Sequence, residues 1–149
     1  DTPSMIDWNL IKTHLSLLKN SSPVQTPQYS FKTHMRLKRK KLIQPKKLII
    51  FEGIFALNEI VRPILSYKVY LDTDMSICFQ RRLNRDINER GRTKSSVITQ
   101  FEATTKPGFL KFVFPTKQFA DLIIENEAYS PLFEVLENRL TYGNSFPSQ

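Results

Sequence analysis

The sequence predicts an α/β domain built on a parallel sheet, and three observations support this fold class. Short apolar runs at residues 47–51, 67–72 and 120–124 are typical of strands that are covered on both faces. Segments with helical spacing of apolar residues alternate with these runs, as they do in α/β proteins. At 149 residues and 40% apolar content, the chain also has the length of one ordinary domain.

The segments before the first of these strands predict a helix and a hairpin. Apolar residues recur at helical spacing as far as Lys19, and Ser4 or Asp7 can cap the first turn. Residues 24–43 then combine proline punctuation, alternating aromatics and a basic run. We expect this segment to form an extended, hairpin-like excursion.

Helices are expected to follow the first two strands. The first has Phe55, Ile60, Ile64 and Leu65 on one side, although Pro63 crowds its end. The second is capped by Asp72 or Asp74 and stops near Gly91. The apolar positions of the second helix are expected to face inward, and they are Cys78 or Phe79, Leu83 and Ile87.

The last third of the chain predicts three more helical stretches. A helix at 95–104 is expected to be interrupted by Pro107, and a second stretch occupies 108–114. The strand at 120–124 leads to a terminal amphipathic helix at 131–140. We expect residues 1–140 to form the domain and residues 141–149 to be a disordered tail.

Composition indicates the kind of partner and the compartment. A net charge of +8 favours anionic partners such as nucleotides, nucleic acids or acidic membrane surfaces. The single cysteine, Cys78, excludes a disulfide framework, so we expect a reducing, cytoplasmic compartment. No apolar run is long enough to span a bilayer, and no signal peptide opens the sequence. Because the first residue is Asp1 and not methionine, we expect the sequence to be a piece of a longer protein.

A carboxylate at the end of the first strand is a candidate magnesium ligand. Glu52 follows the apolar run 47–51, and Gly53 allows a tight turn after it. In α/β phosphotransferases a carboxylate at the carboxyl end of a buried strand can hold Mg²⁺. The alternative is that Glu52 only caps or salt-bridges, and the residue alone does not decide between these roles.

Five arginines lie within residues 81–92, which end the second predicted helix. Arg82 and Arg85 are three residues apart and share one helix face, while Arg90 and Arg92 straddle a glycine where the chain can bend like a lid. A planar guanidinium can bond two phosphate oxygens at once, so the cluster favours phosphate binding. The alternative is a solvated face paired with Asp86 and Glu89, but two acids leave a surplus of positive charge.

Two further patterns are less specific. Tyr29 and Phe31 share one face of an extended segment close to His34, which suits a planar base but also suits ordinary packing. Basic residues fill most of 36–41 and continue at Lys46 and Lys47. Such runs are usually solvated faces, and the alternatives are a nuclear targeting patch or a nucleic-acid contact.

The chain resembles the uridine–cytidine kinases, P-loop phosphotransferases of pyrimidine salvage, over nearly all of residues 1–140. The resemblance depends on the order and spacing of several motifs rather than on any one of them. These motifs are Asp1-x-Pro3, Pro27-Gln28-Tyr29-Ser30-Phe31, Thr33-His34-x-Arg36, Phe51-Glu52-Gly53-Ile54, Leu71-Asp72-Thr73-Asp74, Arg81-Arg82-Leu83-Asn84-Arg85-Asp86-Ile87, Glu89-Arg90-Gly91-Arg92, Lys106-Pro107, Pro115-Thr116-Lys117 and Ala120-Asp121-Leu122-Ile123-Ile124.

The resemblance implies a nucleoside site for uridine or cytidine, with Mg²⁺ and ATP as the other components. Asp1 would hold the ribose hydroxyls, and His34 would read the edge of the base. Tyr29, Phe31 and Ile54 would line the pocket around the nucleoside. Family members are tetramers, so a homo-oligomer is implied as well.

The resemblance also implies roles for the residues that would surround the phosphates. Glu52 would be the magnesium-associated acid. Arg82 and Arg92, with Gln100, would lie near the nucleoside and its 5′ end. Arg85 and Arg90 would be lid arginines that engage the ATP phosphates.

The sequence departs from the family pattern in one major respect. Its four glycines form no Gly-x-x-x-x-Gly-Lys-[Ser/Thr] loop, and the family's first strand and general-base aspartate would all precede Asp1. That strand is central in the family's sheet, beside the strands matching 47–51 and 67–72. We therefore expect an inactive chain with unpaired strand edges, and the alternatives are a non-catalytic nucleoside-binding or subunit-partner fragment and a basic nucleic-acid-binding module.

Overall fold

The computed structural model of the chain describes residues 2–30, 35–125 and 128–142. Contacts divide the chain into two compact units. The first unit, the hairpin unit, is Asp7–Leu65, and the second, the helix-sheet unit, is Asp1–Ile6 together with Ser66–Gln149. The structure contains helices, one antiparallel strand pair and one parallel strand pair among the described residues, which confirms the mixed α/β class.

The hairpin unit begins with helix α1, Trp8–Lys19, whose first turn is capped by the Asp7 side chain. Strand β1, Val24–Ser30, pairs antiparallel with strand β2, Met35–Ile43, so the predicted helix and hairpin are both confirmed. The register shifts between Pro27 and Tyr29, where the proline lacks an amide donor for the ladder.

The strand predicted at 47–51 is wrong for this structure. Within the described part of the chain, no strand pairs with these residues, and Ile50 is 70% exposed. An isolated extended segment cannot satisfy its backbone groups from within, so apolar composition without a neighbouring strand does not make a sheet.

The helix expected after residue 54 is also wrong. Turns with hydrogen bonds between residues three apart replace it, followed by a short 3₁₀ helix at Arg62–Ile64. The Asn58 side chain accepts the Ile60 amide at 3.0 Å, and this local bond competes with a helical ladder. Pro63, which has no amide donor, sits in the 3₁₀ turn and prevents a longer helix.

The helix-sheet unit contains the confirmed parallel strand pair. Strand β3, Val69–Asp72, pairs with strand β4, Leu122–Glu125, from its first residue to its last. Both strands begin about two residues later than the apolar runs predicted. At their start, Asp121 accepts the Lys68 amide and also forms an ion pair with the Lys68 ammonium, each at 2.7 Å.

Two helices follow β3, and the sequence predicted the cap of the first. Helix α2, Met75–Asn88, is capped by Asp74, and helix α3, Lys94–Gln100, is capped by Thr93. Of the two residues predicted for the first inward position of α2, Cys78 and Phe79, it is Phe79 that faces inward. The centroid of its ring lies 4.7 Å from that of Phe101. Cys78 is exposed.

The expectation that Pro107 interrupts the helical region is wrong. Helical backbone continues from α3 through a π-helical segment, Phe101–Thr105, the short helix α4, Lys106–Gly108, and a second π-helical segment, Phe109–Val113. A π segment bonds residues five apart, which accommodates the missing amide donor without ending the helix. A 3₁₀ helix, Phe114–Phe119, then leads to β4.

The last element is helix α5, Ser130–Tyr142, which extends slightly beyond the predicted 131–140. The remainder of the predicted tail, 143–149, lies outside the described residues. None of the helices described is both long and apolar enough to cross a membrane.

Candidate functional site

The centre of the candidate site is a buried carboxylate surrounded by arginines. Asp86, on α2, is 0% exposed, and it is the sole buried charged residue among those the structure describes. Four guanidiniums lie within 4 Å of its oxygens, and they belong to Arg82, Arg85, Arg90 and Arg92. We call Asp86 and these four residues the arginine cluster.

The two oxygens of Asp86 divide the four arginines into pairs. Oδ1 accepts from Arg85 Nε and from Arg90 Nη1, each at 3.2 Å. Oδ2 accepts from Arg92 Nη1 at 3.5 Å and lies 3.6 Å from Arg82 Nε. The first pair is the more exposed, because its side chains are 45% and 47% accessible whereas those of Arg82 and Arg92 are 17% and 31% accessible.

Gln100 joins the two arginines of the more buried pair. Its Oε1 accepts from Arg82 Nη2 at 3.1 Å and from Arg92 Nη1 at 2.5 Å. Arg92 also donates through Nη2 to the Ser96 carbonyl at 3.2 Å. Residues of α3 therefore hold the buried pair in addition to Asp86.

A glycine turn brings the C-terminal arginines back to the helix. Gly91, three residues beyond the last residue of α2, has φ +63°, a left-handed conformation that glycine adopts readily. After this turn the Arg92 amide donates to the Asp86 carbonyl at 3.0 Å. Both the side chain and the backbone of Asp86 thus accept bonds from the residues around the turn.

The cluster carries a net positive charge, since four guanidiniums face one carboxylate and three charges remain. Desolvation is the main cause that lowers the pKa of Arg82; the neighbouring arginines lower it further, and Asp86 opposes them. A half-buried group of cations with planar, multiple donors is suited to bind phosphate oxygens.

The sequence predicted the members of this cluster but not its centre. Arg82, Arg85, Arg90, Arg92 and Gln100 were all candidate site residues, and they converge in the structure. Asp86 was expected only to neutralise some surface charge. Its position four residues from Arg82 and four from Arg90 was the signal that could have identified it.

The other candidate residues belong to the hairpin unit or are not described. Tyr29 is 50% exposed on β1, and Ile54 is 62% exposed in the turns after residue 52. Asp1, Phe31 and His34 lie outside the described residues.

Glu52 is an exposed carboxylate in the turn segment. Among residues 2–30, 35–125 and 128–142, no three His, Cys, Asp or Glu side chains gather into a metal-binding group. Mg²⁺ bound with a nucleotide usually takes one or two carboxylates and completes its shell with phosphates and water. A single glutamate fits that donor set, but it does not fit an all-protein metal cage.

A pocket of about 440 Å³ lies at the carboxyl ends of the parallel strands. Asp72, Asp74 and Glu125 supply its carboxylates, and Phe109 and Phe114 are among its apolar lining residues.

The edge of this pocket is held by an ion pair that the sequence did not indicate. Lys117 Nζ donates to Asp72 Oδ2 at 2.6 Å, and this bond raises the pKa of Lys117. Asp72 ends β3 and Lys117 lies in the 3₁₀ helix before β4. The pair therefore ties together two motifs that lie far apart in the sequence.

Comparison with known proteins gives a family match for most of the chain. The model of the phosphoribulokinase/uridine kinase family matches residues 1–130. The uridine kinase of Yersinia pestis (strain Pestoides F) is 45% identical over 125 residues, and that of Yersinia enterocolitica serotype O:8 is 44% identical over 125 residues. Each match covers 83% of this chain and 59% of the relative, so the chain spans less than two thirds of these relatives.

Proposed function

The chain belongs to the phosphoribulokinase/uridine kinase family, and on that premise we propose that it supplies the nucleoside-binding and lid parts of a uridine or cytidine kinase. The complete enzyme would transfer the γ-phosphate of ATP to the 5′-hydroxyl of uridine or cytidine. The observation that carries this proposal is the arginine cluster, where four guanidiniums and one buried carboxylate lie together.

The division of the cluster supports two different roles for its arginines. Arg85 and Arg90 are the more exposed pair and would engage the phosphates of ATP. Arg82 and Arg92, which share Gln100, would lie near the nucleoside and its 5′ end. Phosphoryl transfer depends mainly on positioning and on neutralising the migrating group, so held arginines suit it.

Glu52 would be the protein ligand of Mg²⁺. When bound with ATP, the metal would supply charge neutralisation at the β- and γ-phosphates. The exposure of Glu52 and its single carboxylate are consistent with a metal that arrives with the nucleotide.

The remaining candidate residues would hold the nucleoside. Tyr29 and Phe31 would stack on the base with His34 at its edge, Ile54 would pack against the nucleoside, and Asp1 would bind the ribose hydroxyls. The half-exposed Tyr29 ring offers an accessible aromatic surface for such a contact.

We expect the 149 residues alone to be inactive. They contain no phosphate-cradling Gly-x-x-x-x-Gly-Lys-[Ser/Thr] loop, which supplies backbone donors and a lysine to the phosphates in P-loop kinases. The test is to purify the chain, verify its fold by circular dichroism, and measure UMP formed from uridine with Mg²⁺ and ATP. Turnover above that of a protein-free control contradicts the expected inactivity.

The alternative within the same family is a non-catalytic partner that binds nucleosides or joins complete subunits. Titration calorimetry with uridine distinguishes an inactive chain that binds nucleosides from an inactive chain that does not fold or bind. Heat of binding from a folded chain supports a nucleoside-binding fragment, whereas no heat together with an unfolded spectrum indicates that the fragment does not function alone. Light scattering then tests the homo-oligomer, which would be a tetramer.

A nucleic-acid contact is the second candidate, and one observation favours it. Strand β2 places five basic residues on nine positions, and all five are exposed. Binding of this kind weakens steeply as salt rises, because each phosphate contact releases a counterion. If the chain still shifts the mobility of RNA after the charges of residues 38–41 are neutralised, strand β2 is ruled out as the contact.

A further inference from the structure

The arginine cluster contains a buried acid to which no step of phosphoryl transfer has been assigned. We propose that Asp86 is a positioning residue that orients both arginine pairs, one through each carboxylate oxygen: the exposed pair toward the ATP phosphates and the buried pair toward the 5′ end of the nucleoside, where the phosphate is received. This inference rests on the proposed phosphate-binding role of the cluster and names the residue that organises it.

The first argument is geometric. A guanidinium has five N–H donors, so a bond to Asp86 uses only part of what each arginine can offer. Oδ1 serves the exposed pair, Arg85 and Arg90, while Oδ2 serves the buried pair, Arg82 and Arg92. One carboxylate therefore fixes the direction of both pairs at the same time.

The second argument concerns conformational freedom. An arginine side chain has many rotamers, and an unrestrained residue loses much of this freedom when it binds a phosphate. Asp86 is held fully out of solvent on α2, and its backbone carbonyl also accepts the Arg92 amide. Arginines that are already held by a fixed carboxylate lose less freedom on binding, which is the basis of preorganisation.

The third argument separates positioning from simple charge. Asp86→Asn removes the only negative charge among the five residues of the cluster, so their net charge rises from three to four. If Asp86 only screened the arginines, this variant would bind anions more tightly. If Asp86 orients them, the variant binds more weakly despite its extra positive charge. The two accounts thus predict effects of opposite sign.

The experiment is titration calorimetry of inorganic tripolyphosphate into the 149-residue chain and its variants. We expect Asp86→Asn to bind about tenfold more weakly, which corresponds to about 1.4 kcal/mol. The matched control is Glu89→Gln, which makes the same change of charge at an exposed residue at the end of the same helix. We expect this control to bind equally or slightly more tightly. Equal or tighter binding by Asp86→Asn overturns the proposal.

A second variant covers the case in which Asp86→Asn does not fold. Asp86→Glu keeps the charge but moves the oxygens by one methylene group. A folded Asp86→Glu chain that binds tripolyphosphate with wild-type affinity also overturns the proposal, because precise placement would then be unimportant. We expect its affinity to lie between those of the wild type and Asp86→Asn.

A spectroscopic measurement keeps this inference separate from the proposed function. If the wild-type chain gives no heat with tripolyphosphate, the proposed phosphate-binding role fails. The Nε–H signals of Arg82 and Arg85 in nitrogen-15 NMR spectra still test the role of Asp86, because both Nε atoms lie beside its carboxylate. These signals should shift in Asp86→Glu and remain in place in Glu89→Gln. Unchanged signals in Asp86→Glu contradict a positioning role.

Discussion

Positive charge is concentrated in two places, strand β2 of the hairpin and the turn that ends helix α2, and the two are built differently. On β2, five basic side chains are exposed, and Arg36 reaches Asp7 at 3.3 Å in a pair that is itself solvent-accessible. In the arginine cluster, four guanidiniums converge on a carboxylate that is 0% exposed.

The difference in burial predicts a difference in behaviour. Exposed charges are screened by salt and keep many side-chain conformations, so β2 offers a diffuse attraction for anions. Charges arranged around a buried acid are screened less and held in fewer conformations. The same residue types therefore produce a general electrostatic surface in one region and a defined binding geometry in the other.

The largest expected effect comes from removing the central acid. Asp86→Ala leaves four arginines without their shared carboxylate, and because these arginines are partly solvent-accessible the loss should be about 2–3 kcal/mol. We expect a loss of this size in the free energy of unfolding, measured by urea denaturation. Glu89→Ala removes an exposed acid from the same helix end and should change it by less than about 0.5 kcal/mol. Equal effects of the two changes would mean that burial does not distinguish these acids.

A smaller effect is expected at the turn that returns Arg92 to the cluster. Gly91 has φ +63° and open space where a Cβ would lie, so Gly91→Ala adds backbone strain without a steric clash. We expect the free energy of unfolding to fall by about 1–2 kcal/mol. Gly108 provides the control, because its φ of −63° is helical and alanine should stabilise it by about 0.5–1 kcal/mol. Thermal denaturation of both variants should show a lower melting temperature for Gly91→Ala and a higher one for Gly108→Ala.

The hairpin should respond to substitution in its binding properties and hardly in its stability. We expect Lys38→Gln combined with Lys40→Gln to change the free energy of unfolding by less than about 0.5 kcal/mol, since both side chains are exposed. Any binding of a polyanion such as heparin to this strand should weaken, with a shallower dependence on salt. A stability loss as large as that of Asp86→Ala would remove the contrast between the two regions.

The smallest expected effect is a pH dependence at the cap of α2. Hydrogen bonds from the Ser76 side chain and amide lower the pKa of Asp74 below its ordinary 3.8. Because the folded pKa is the lower one, the contribution is present above the unfolded pKa and is lost as the pH falls through the folded value. Asp74→Asn keeps a capping acceptor without titrating, so its melting temperature should fall less steeply than that of the wild type below about pH 4. If the melting temperatures of the wild type and Asp74→Asn fall equally steeply with pH, the pH dependence does not come from Asp74.

Local signals in the sequence were sufficient for several elements. The apolar spacing and cap residues of α1 and α2 act within one or two turns, and both helices form close to where they were expected. The alternation and the prolines of 24–43 likewise predicted the hairpin. The arginines of the candidate site were predicted because their residue type and spacing are visible in the sequence.

The errors arose where the structure depends on a distant partner. Residues 47–51 have the composition of a buried strand, but a strand exists only with a neighbour to bond, and the described residues provide none there. Around Pro107, π-helical segments on both sides of the proline replace the break that local rules predict.

What the sequence by itself determined is therefore helices α1 and α2, the hairpin, the family, and the supply of arginines for an anion site. Only the tertiary structure decided that Asp86 is buried at the centre of those arginines and that Gln100 of α3 reaches two of them. The physical reason is that periodicity and capping depend on neighbours along the chain. Burial of a charge and the convergence of guanidiniums depend on which segments pack together.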